Sequence, residues 1–127
     1  MGLLDDMETL IPSDVAATAD IYSGDKPDKP DNIVVLYQTG GADPSHSFNA
    51  REFEEPTFQV LIRNAAYANA ITKAEAVKDA FDGQTELTIN GNRYMSIFQQ
   101  GDIQPLGRDN DNRTELTVNF RAKVVRA

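Results

Sequence analysis

The side chains able to perform acid–base or metal chemistry are few, and their spacing does not favour it. His46 is the only histidine, and the chain contains no cysteine. A single imidazole without a second nitrogen or sulfur ligand is not a usual metal site. Glu54 and Glu55 are adjacent, and neighbours along a strand point to opposite faces, so they would not share a proton as a catalytic pair does. We therefore expect no catalytic or metal-binding residue and no cofactor.

The polar run from Arg108 to Arg113 brings two more carboxylates close together in sequence. Asp109 and Asp111 have the spacing of the first two ligands of a calcium-binding loop. Counted from Asp109, however, the sixth residue is Thr114 instead of glycine, and the twelfth is Phe120 instead of glutamate. We interpret the run as the turn at the tip of a long hairpin, within a loop that spans residues 100–113.

The elements that would position these residues centre on the stretch from Glu55 to Gly83. An apolar run from Phe58 to Ile62 predicts a strand. Asn64 is suited to cap a helix, and Gly83 to end one. Between them, apolar residues recur at spacings of three and four, which predicts an amphipathic helix. The apolar stripe contains Tyr67, Ala70, Ile71, Ala74, Val77 and Phe81. The polar side contains Asn69, Thr72, Lys73, Glu75 and Asp79.

The other strand signals surround this pair. A β-branched run covers Ile33 to Tyr37, and Ile21-Tyr22 could form a brief strand. A hairpin is predicted around Asn90-Gly91, the strongest two-residue turn signal in the chain. Apolar and polar residues alternate from Leu116 to Val124. The pattern predicts an α+β fold: a single, mostly antiparallel β-sheet of about five strands packed against one long helix, plus a short N-terminal helix.

We expect one domain over residues 1–127, because this length suits a single core. Its parts would be a short N-terminal helix at 3–11, stopped by Pro12, an acidic loop at 13–32, and a core at 33–125. Within the core, Gly40 and Gly41 would begin a long loop that runs to about Arg51. These glycines do not form a phosphate cradle, since no Gly-Lys-Ser/Thr sequence follows them.

Charge is distributed unevenly along the chain, whose net charge is −8. Residues 1–62 contain three Lys or Arg and twelve Asp or Glu, a balance of −9, whereas residues 63–127 contain nine and eight, a balance of +1. This composition lacks the basic footprint of a nucleic-acid-binding protein. It could serve solubility alone, or it could allow an acidic face of one subunit to meet a more basic face of another. No stretch is long and apolar enough for a membrane helix, and no secretion signal is visible, so we expect a soluble protein made in the cytoplasm and no membrane partner.

The sequence resembles the tail terminator proteins of long-tailed bacteriophages, also described as tail-completion or minor capsid proteins. The landmarks occur in the expected order from about Asp25 onward. They are the acidic, proline-containing loop before Ile33-Val34-Val35-Leu36, then Gly40-Gly41, the segment from Glu55 to Arg63, the alanine-rich helix, Ile89-Asn90-Gly91, Gly107-Arg108-Asp109 and Asn119-Phe120.

The resemblance implies a structural virion protein without an active site, located at the head–tail junction. It would form a homo-hexameric ring that terminates the tail tube, contacts the tube protein and the head-completion or connector protein, and lets DNA pass through its lumen without specific binding. The acidic residues of the first half would approach that lumen. Candidate assembly-interface residues are Leu3, Leu4, Met7, Gly40, Gly41, Arg63, Arg108, Asp109, Arg113, Arg121 and Lys123. The alternatives are a head-completion or connector ring protein and a small, non-enzymatic binding module; the single histidine and the absence of cysteine disfavour an enzyme.

Overall fold

The structure is a computed structural model, and it describes residues 3–16, 20–47 and 50–125. Three helices and six strands follow one another along the chain. The helices are α1 (Leu3–Glu8), α2 (Ser13–Ala16) and α3 (Tyr67–Phe81). The strands are β1 (Asp20–Ser23), β2 (Ile33–Ser47), β3 (Ala50–Asn64), β4 (Gln84–Ile89), β5 (Asn92–Arg108) and β6 (Thr114–Val125).

The strands form one curled sheet with the order β1-β2-β3-β6-β5-β4. The edge strand β1 runs parallel to β2, and every other pair is antiparallel. The prediction of an α+β fold with about five strands around one long helix is therefore wrong. The protein is mostly β: more than half of its residues lie in a six-stranded mixed sheet, and its helices are short by comparison.

The error arose in two segments that the sequence analysis interpreted as loops. Of the predicted loop from Gly40 to Arg51, residues 40–47 instead belong to β2 and residues 50–51 to β3, each a strand of 15 residues, and residues 48–49 lie outside the described part. The predicted loop at 100–113 is mostly β5, which has 17 residues and continues to Arg108. Glycine, proline and polar residues obscure the strand pattern in both segments. Pairing with a neighbouring strand, which is a non-local interaction, supplies the order that local propensity lacks.

The main core lies between one face of the sheet and the helices. Phe58, Phe81 and Phe120 meet there, with ring centroids 5.2 to 5.8 Å apart. The predicted alternation of β6 is confirmed, because its apolar residues are buried in this core. The helix stripe is only partly correct: Ala70, Ala74, Val77 and Phe81 are buried, but Tyr67 is exposed, and Lys73 from the predicted polar side is buried. Helical periodicity does not show which other segments pack on the helix. In this structure Lys73 lines a cavity together with Val15 of α2.

The N-terminal segment is fixed to this core by both apolar and polar contacts. α1 is shorter than the predicted helix at 3–11, since turns replace it after Glu8. Leu3 and Met7 are buried. The buried Asp6 carboxylate accepts hydrogen bonds from the side chains of Asn90 (2.6 Å), Asn92 (2.9 Å) and Tyr94, so it attaches α1 to the β4–β5 hairpin.

The predicted acidic loop at 13–32 is not a continuous loop. It contains α2 and β1, and the Ile21-Tyr22 strand signal is confirmed. What remains, residues 24–32, connects β1 to β2 and is called the acidic loop below.

Candidate functional site

The face of the sheet that points away from the helices, here called the outer face, has two different halves. At one end it carries a small second core, in which Ile33, Val35 and Leu61 are buried and Tyr22 and Tyr37 pack against them. The acidic loop adjoins this end. At the other end lies an uncovered area around Phe98, Arg121 and Lys123, here called the open patch. The two halves differ in whether their charged side chains have partners within the subunit.

Arg63 is one of two buried arginines that attach the acidic loop to the sheet. Only 2% of its surface is exposed. Its guanidinium donates hydrogen bonds to the main-chain oxygens of Pro30 (2.7 Å), Asp28 (3.1 Å) and Asp31 (3.2 Å). All three carbonyl oxygens therefore accept from a charged donor, and such hydrogen bonds are among the stronger types.

Arg113 is the second buried arginine and lies at the tip of the β5–β6 hairpin. Its guanidinium donates to the main-chain oxygen of Asp28 and contacts carboxylate oxygens of Asp28 and Asp31, each at 3.2 Å. It also contacts Asp109 at 2.7 Å and Asp111 at 3.2 Å. One cation thus joins the acidic loop to the hairpin tip, and a buried cation with this many oxygen partners is compensated for its loss of water.

The pKa values at this end follow from these contacts. Hydrogen bonds from the Arg113 side chain and backbone lower the pKa of Asp109 to about 2, from 3.8. A hydrogen bond from Lys29 lowers the pKa of Asp31, with a smaller contribution from Arg113. A further ion pair, 3.1 Å between Lys26 and Glu115, connects the loop to β6. The acidic loop is therefore held to the sheet and the hairpin tip by matched charges.

The open patch has the opposite character. Strand register places Phe98 of β5 beside Arg121 of β6, and Ser96 beside Lys123. Phe98 is 51% exposed. The Lys123 ammonium lies 4.2 Å from the ring centroid of Phe53, a cation–π contact. A shallow depression of about 350 Å³ lies here, and it is lined by Glu55, Ser96, Phe98, Gln99, Gln100, Arg121 and Lys123.

Two long strands also extend past their neighbours. β1 pairs with β2 only from Ile33 to Leu36, and β4 pairs with β5 only from Asn92 to Ile97. Within the described residues, the segments 37–47 of β2 and 98–108 of β5 therefore have a strand on one side only. Their outward-pointing backbone groups are available for pairing with another chain.

The structure places the predicted assembly residues in four environments. Leu3, Met7, Arg63 and Arg113 are buried, and Leu4 packs against the core, so none of these presents a free surface. Asp109 is occupied with Arg113, while the exposed Arg108 donates to the main-chain oxygen of Asn112. Gly40 and Gly41 lie on β2 opposite Thr57 and Pro56. Arg121 and Lys123 lie together in the open patch.

Two residues that define these environments were not predicted from the sequence. The exposure of Phe98 marks the open patch. Asp6 is a buried hydrogen-bond acceptor. Neither role has a local sequence signal. His46 lies in β2, and its side chain is outside the described part of the structure.

A second cavity, of about 280 Å³, lies beside α3. It is lined by Val15, Asn32, Asn64, Asn69, Thr72, Lys73 and Ala76. Burial lowers the pKa of Lys73. The Asn64 oxygen accepts from the Ala66 amide at 2.9 Å, but the N-cap of α3 is Ala66 and has no side-chain cap, so the prediction that Asn64 caps this helix is wrong. The Asn64 side-chain nitrogen has no partner among the described residues. The described residues contain no group of three or more His, Cys, Asp or Glu side chains placed to hold a metal. No described helix is long and apolar enough to cross a membrane.

Comparisons with known proteins agree with this architecture. A solved chain from the virion of a native gene transfer agent particle superposes with a TM-score of 0.71 at 20% identity, covering 96% of this chain and 93% of that one. A second solved chain superposes with a TM-score of 0.67 at 13% identity, covering 98% and 94%. At these identities the likeness establishes a shared fold. No curated protein matches the sequence.

A family model for bacteriophage tail terminator proteins matches residues 2–126. The match includes both long hairpins, the acidic loop and the open patch, so it covers the features described above. The resemblance found in the sequence is thus confirmed over nearly the whole chain. The protein belongs to the bacteriophage tail terminator family and is a structural component of a phage-type virion tail.

Proposed function

We propose that this protein forms a homo-hexameric ring that ends the tail tube and joins it to the head connector, with DNA passing through the lumen. The observation that carries the proposal is that the sheet remains open. The outer segments of β2 and β5 each have a paired strand on one side only. Other chains in the assembled tail, such as tube or connector subunits, can add strands there, which would satisfy the backbone groups and remove an aggregation hazard.

A ring also requires two different surfaces on each subunit, because a contact between identical patches closes a dimer. The subunit offers such a difference. Helices cover one face of the sheet, and the outer face is half uncovered around Phe98 and Arg121. Unlike surfaces on opposite sides allow the same contact to repeat from one subunit to the next until the ring closes.

The net charge of −8 is consistent with a channel for DNA. A lumen lined by carboxylates repels phosphates, so DNA would pass without being held. The protein would accordingly act as a structural collar without catalysis.

The test is electron microscopy of the purified protein, alone and after addition to tail tubes assembled from the tube protein. We expect six-fold rings at tube ends and no further growth of capped tubes. Leu106 is 54% exposed on the outer segment of β5, so Leu106→Asp should leave the monomer folded but weaken capping. Protein that remains monomeric and leaves tube growth unchanged would contradict the proposal.

A further inference from the structure

The open patch contains cations without an acidic partner, which is unusual in this chain. Among the described residues, Lys26, Lys29, Lys78, Arg93 and Arg113 lie within ion-pair distance of a carboxylate. Arg63 and Lys73 are buried. Of the remaining described cations, Arg108 lies at the hairpin tip, and Arg121 and Lys123 lie together in the open patch. The Arg121 guanidinium is 3.2 Å from the side-chain amide of Gln100, a neutral partner.

The opposite side of the subunit carries the complementary charge. Glu75 and Asp79 point to solvent from α3, and Asp5 and Glu8 are exposed on α1. The one partly exposed cation of α3, Lys78, is 4.0 Å from Asp102 of β5. The helical side is therefore acidic, while the open patch on the outer face, which is lined by Arg121, Lys123 and one carboxylate, Glu55, has a net positive charge.

The distance between the two cations of the open patch also matches the distance between the two carboxylates of α3. Arg121 and Lys123 are two residues apart on a strand, which separates them by about 7 Å. Glu75 and Asp79 are four residues apart on a helix, which separates them by about 6 Å along the axis and keeps them on one side. The exposed Phe98 ring beside Arg121 adds apolar area at the centre of the patch, as is common in protein interfaces.

We propose that neighbouring subunits join by placing the exposed side of α3, with Glu75 and Asp79, on the open patch of the next copy, against Phe98, Arg121 and Lys123. The inference rests on the proposed ring and specifies its subunit contact. The two surfaces belong to opposite sides of one subunit, so the contact is heterologous and repeats around the ring. The outer segments of β2 and β5 then remain for the tube and the connector.

A charge exchange tests this contact. R121E/K123E places an acidic patch against an acidic helix, and E75K/D79K places a basic helix against a basic patch. Each variant alone should need at least about tenfold more protein to form rings than the wild type. An equimolar mixture should restore rings, in which the two variants alternate, because both mixed contacts are then attractive. The quadruple variant should form rings by itself.

The matched control is K29E/R93E, which changes the net charge by the same amount as R121E/K123E but at exposed residues outside both surfaces. It should form rings like the wild type, and circular dichroism should show that all variants are folded. Rings of R121E/K123E at wild-type concentrations would overturn the inference and leave the proposed ring intact. The inference would also be overturned if the mixture formed no rings, or if R121E/K123E formed rings but lost binding to the tube or the connector. The second result would assign the patch to another virion protein. Absence of wild-type rings on tubes would instead overturn the proposed function, and this contact with it.

Discussion

The two halves of the outer face belong to the same sheet but differ in whether their charged and apolar side chains are covered within the subunit. At the acidic loop, buried Arg63 and Arg113 are surrounded by carbonyl and carboxylate oxygens, and apolar residues of the second core are covered. At the open patch, Arg121 and Lys123 have no carboxylate partner among the described residues, and Phe98 remains exposed. The first half satisfies its charges internally and so contributes to the stability of the subunit. The second leaves them for another molecule.

The comparison shows that a residue type does not reveal its role in this chain. Arginines at 63, 113 and 121 all lie near one end of a strand or on its outer face, and all were predicted to belong to an assembly interface. Burial distinguishes Arg63 and Arg113 from Arg121. A cation excluded from water needs partners within the subunit, whereas an exposed cation is hydrated and can bind a partner in the assembly.

The largest expected effect is at the centre of the acidic loop. Arg63→Ala removes the donor for three main-chain oxygens. It should lower the free energy of unfolding by about 3–5 kcal/mol, because three hydrogen bonds from a charged donor that attach the loop to the sheet are lost. Arg121→Ala, the matched change in the open patch, should alter it by less than about 0.5 kcal/mol. Urea denaturation of both variants measures the difference, and equal losses would remove the distinction between the halves.

A smaller effect is expected from the pH dependence of the hairpin tip. The pKa of Asp109 is lowered to about 2 from 3.8, so its ionised form stabilises the folded state above pH 3.8, and this contribution is lost as the pH falls from about 4 through 2. Asp109→Asn should therefore be less stable than the wild type at pH 7, with the difference shrinking towards pH 2. Thermal unfolding across this range provides the measurement.

Asp102→Asn is the control for that series, since Asp102 is largely exposed and only 4.0 Å from Lys78. It should follow the wild-type profile. A difference between Asp109→Asn and the wild type that stays constant down to pH 2 would show that the Asn side chain disturbs the turn and that the lost charge is not the cause.

The smallest effect is expected at the rim of the acidic loop. Lys26 and Glu115 form a partly exposed ion pair at 3.1 Å. Lys26→Ala should lower the free energy of unfolding by about 1 kcal/mol, because Lys26 is well exposed but Glu115 is nearly buried, and 1 M salt should reduce that difference by screening the pair. Chemical denaturation at low and high salt measures both. A loss as large as that of Arg63→Ala would mean that the rim, and not the buried arginines, holds the loop.

Local patterns predicted those elements whose order is encoded by nearby residues. The alternation of β6, the turn at Asn90-Gly91 and the helix at 67–81 were all confirmed, since each depends on a short period or on a turn residue with a suitable backbone conformation. Asn90 and Gly91 both have positive φ, at 52° and 82°, as this turn requires. The long ends of β2 and β5 were missed because their order comes from strands distant in sequence.

By itself, the sequence determined the family, the acidic balance, the apolar face of β6 and most of the apolar face of α3. Only the tertiary structure decided that the fold is mostly β, that Asp6, Arg63 and Lys73 are buried, and that Arg121 and Lys123 share an open face with Phe98. The physical reason is that burial and charge pairing depend on contacts between segments far apart in the chain. Residue type and local periodicity determine which face of a helix or strand is apolar or charged. The neighbouring elements determine whether that face is buried or exposed.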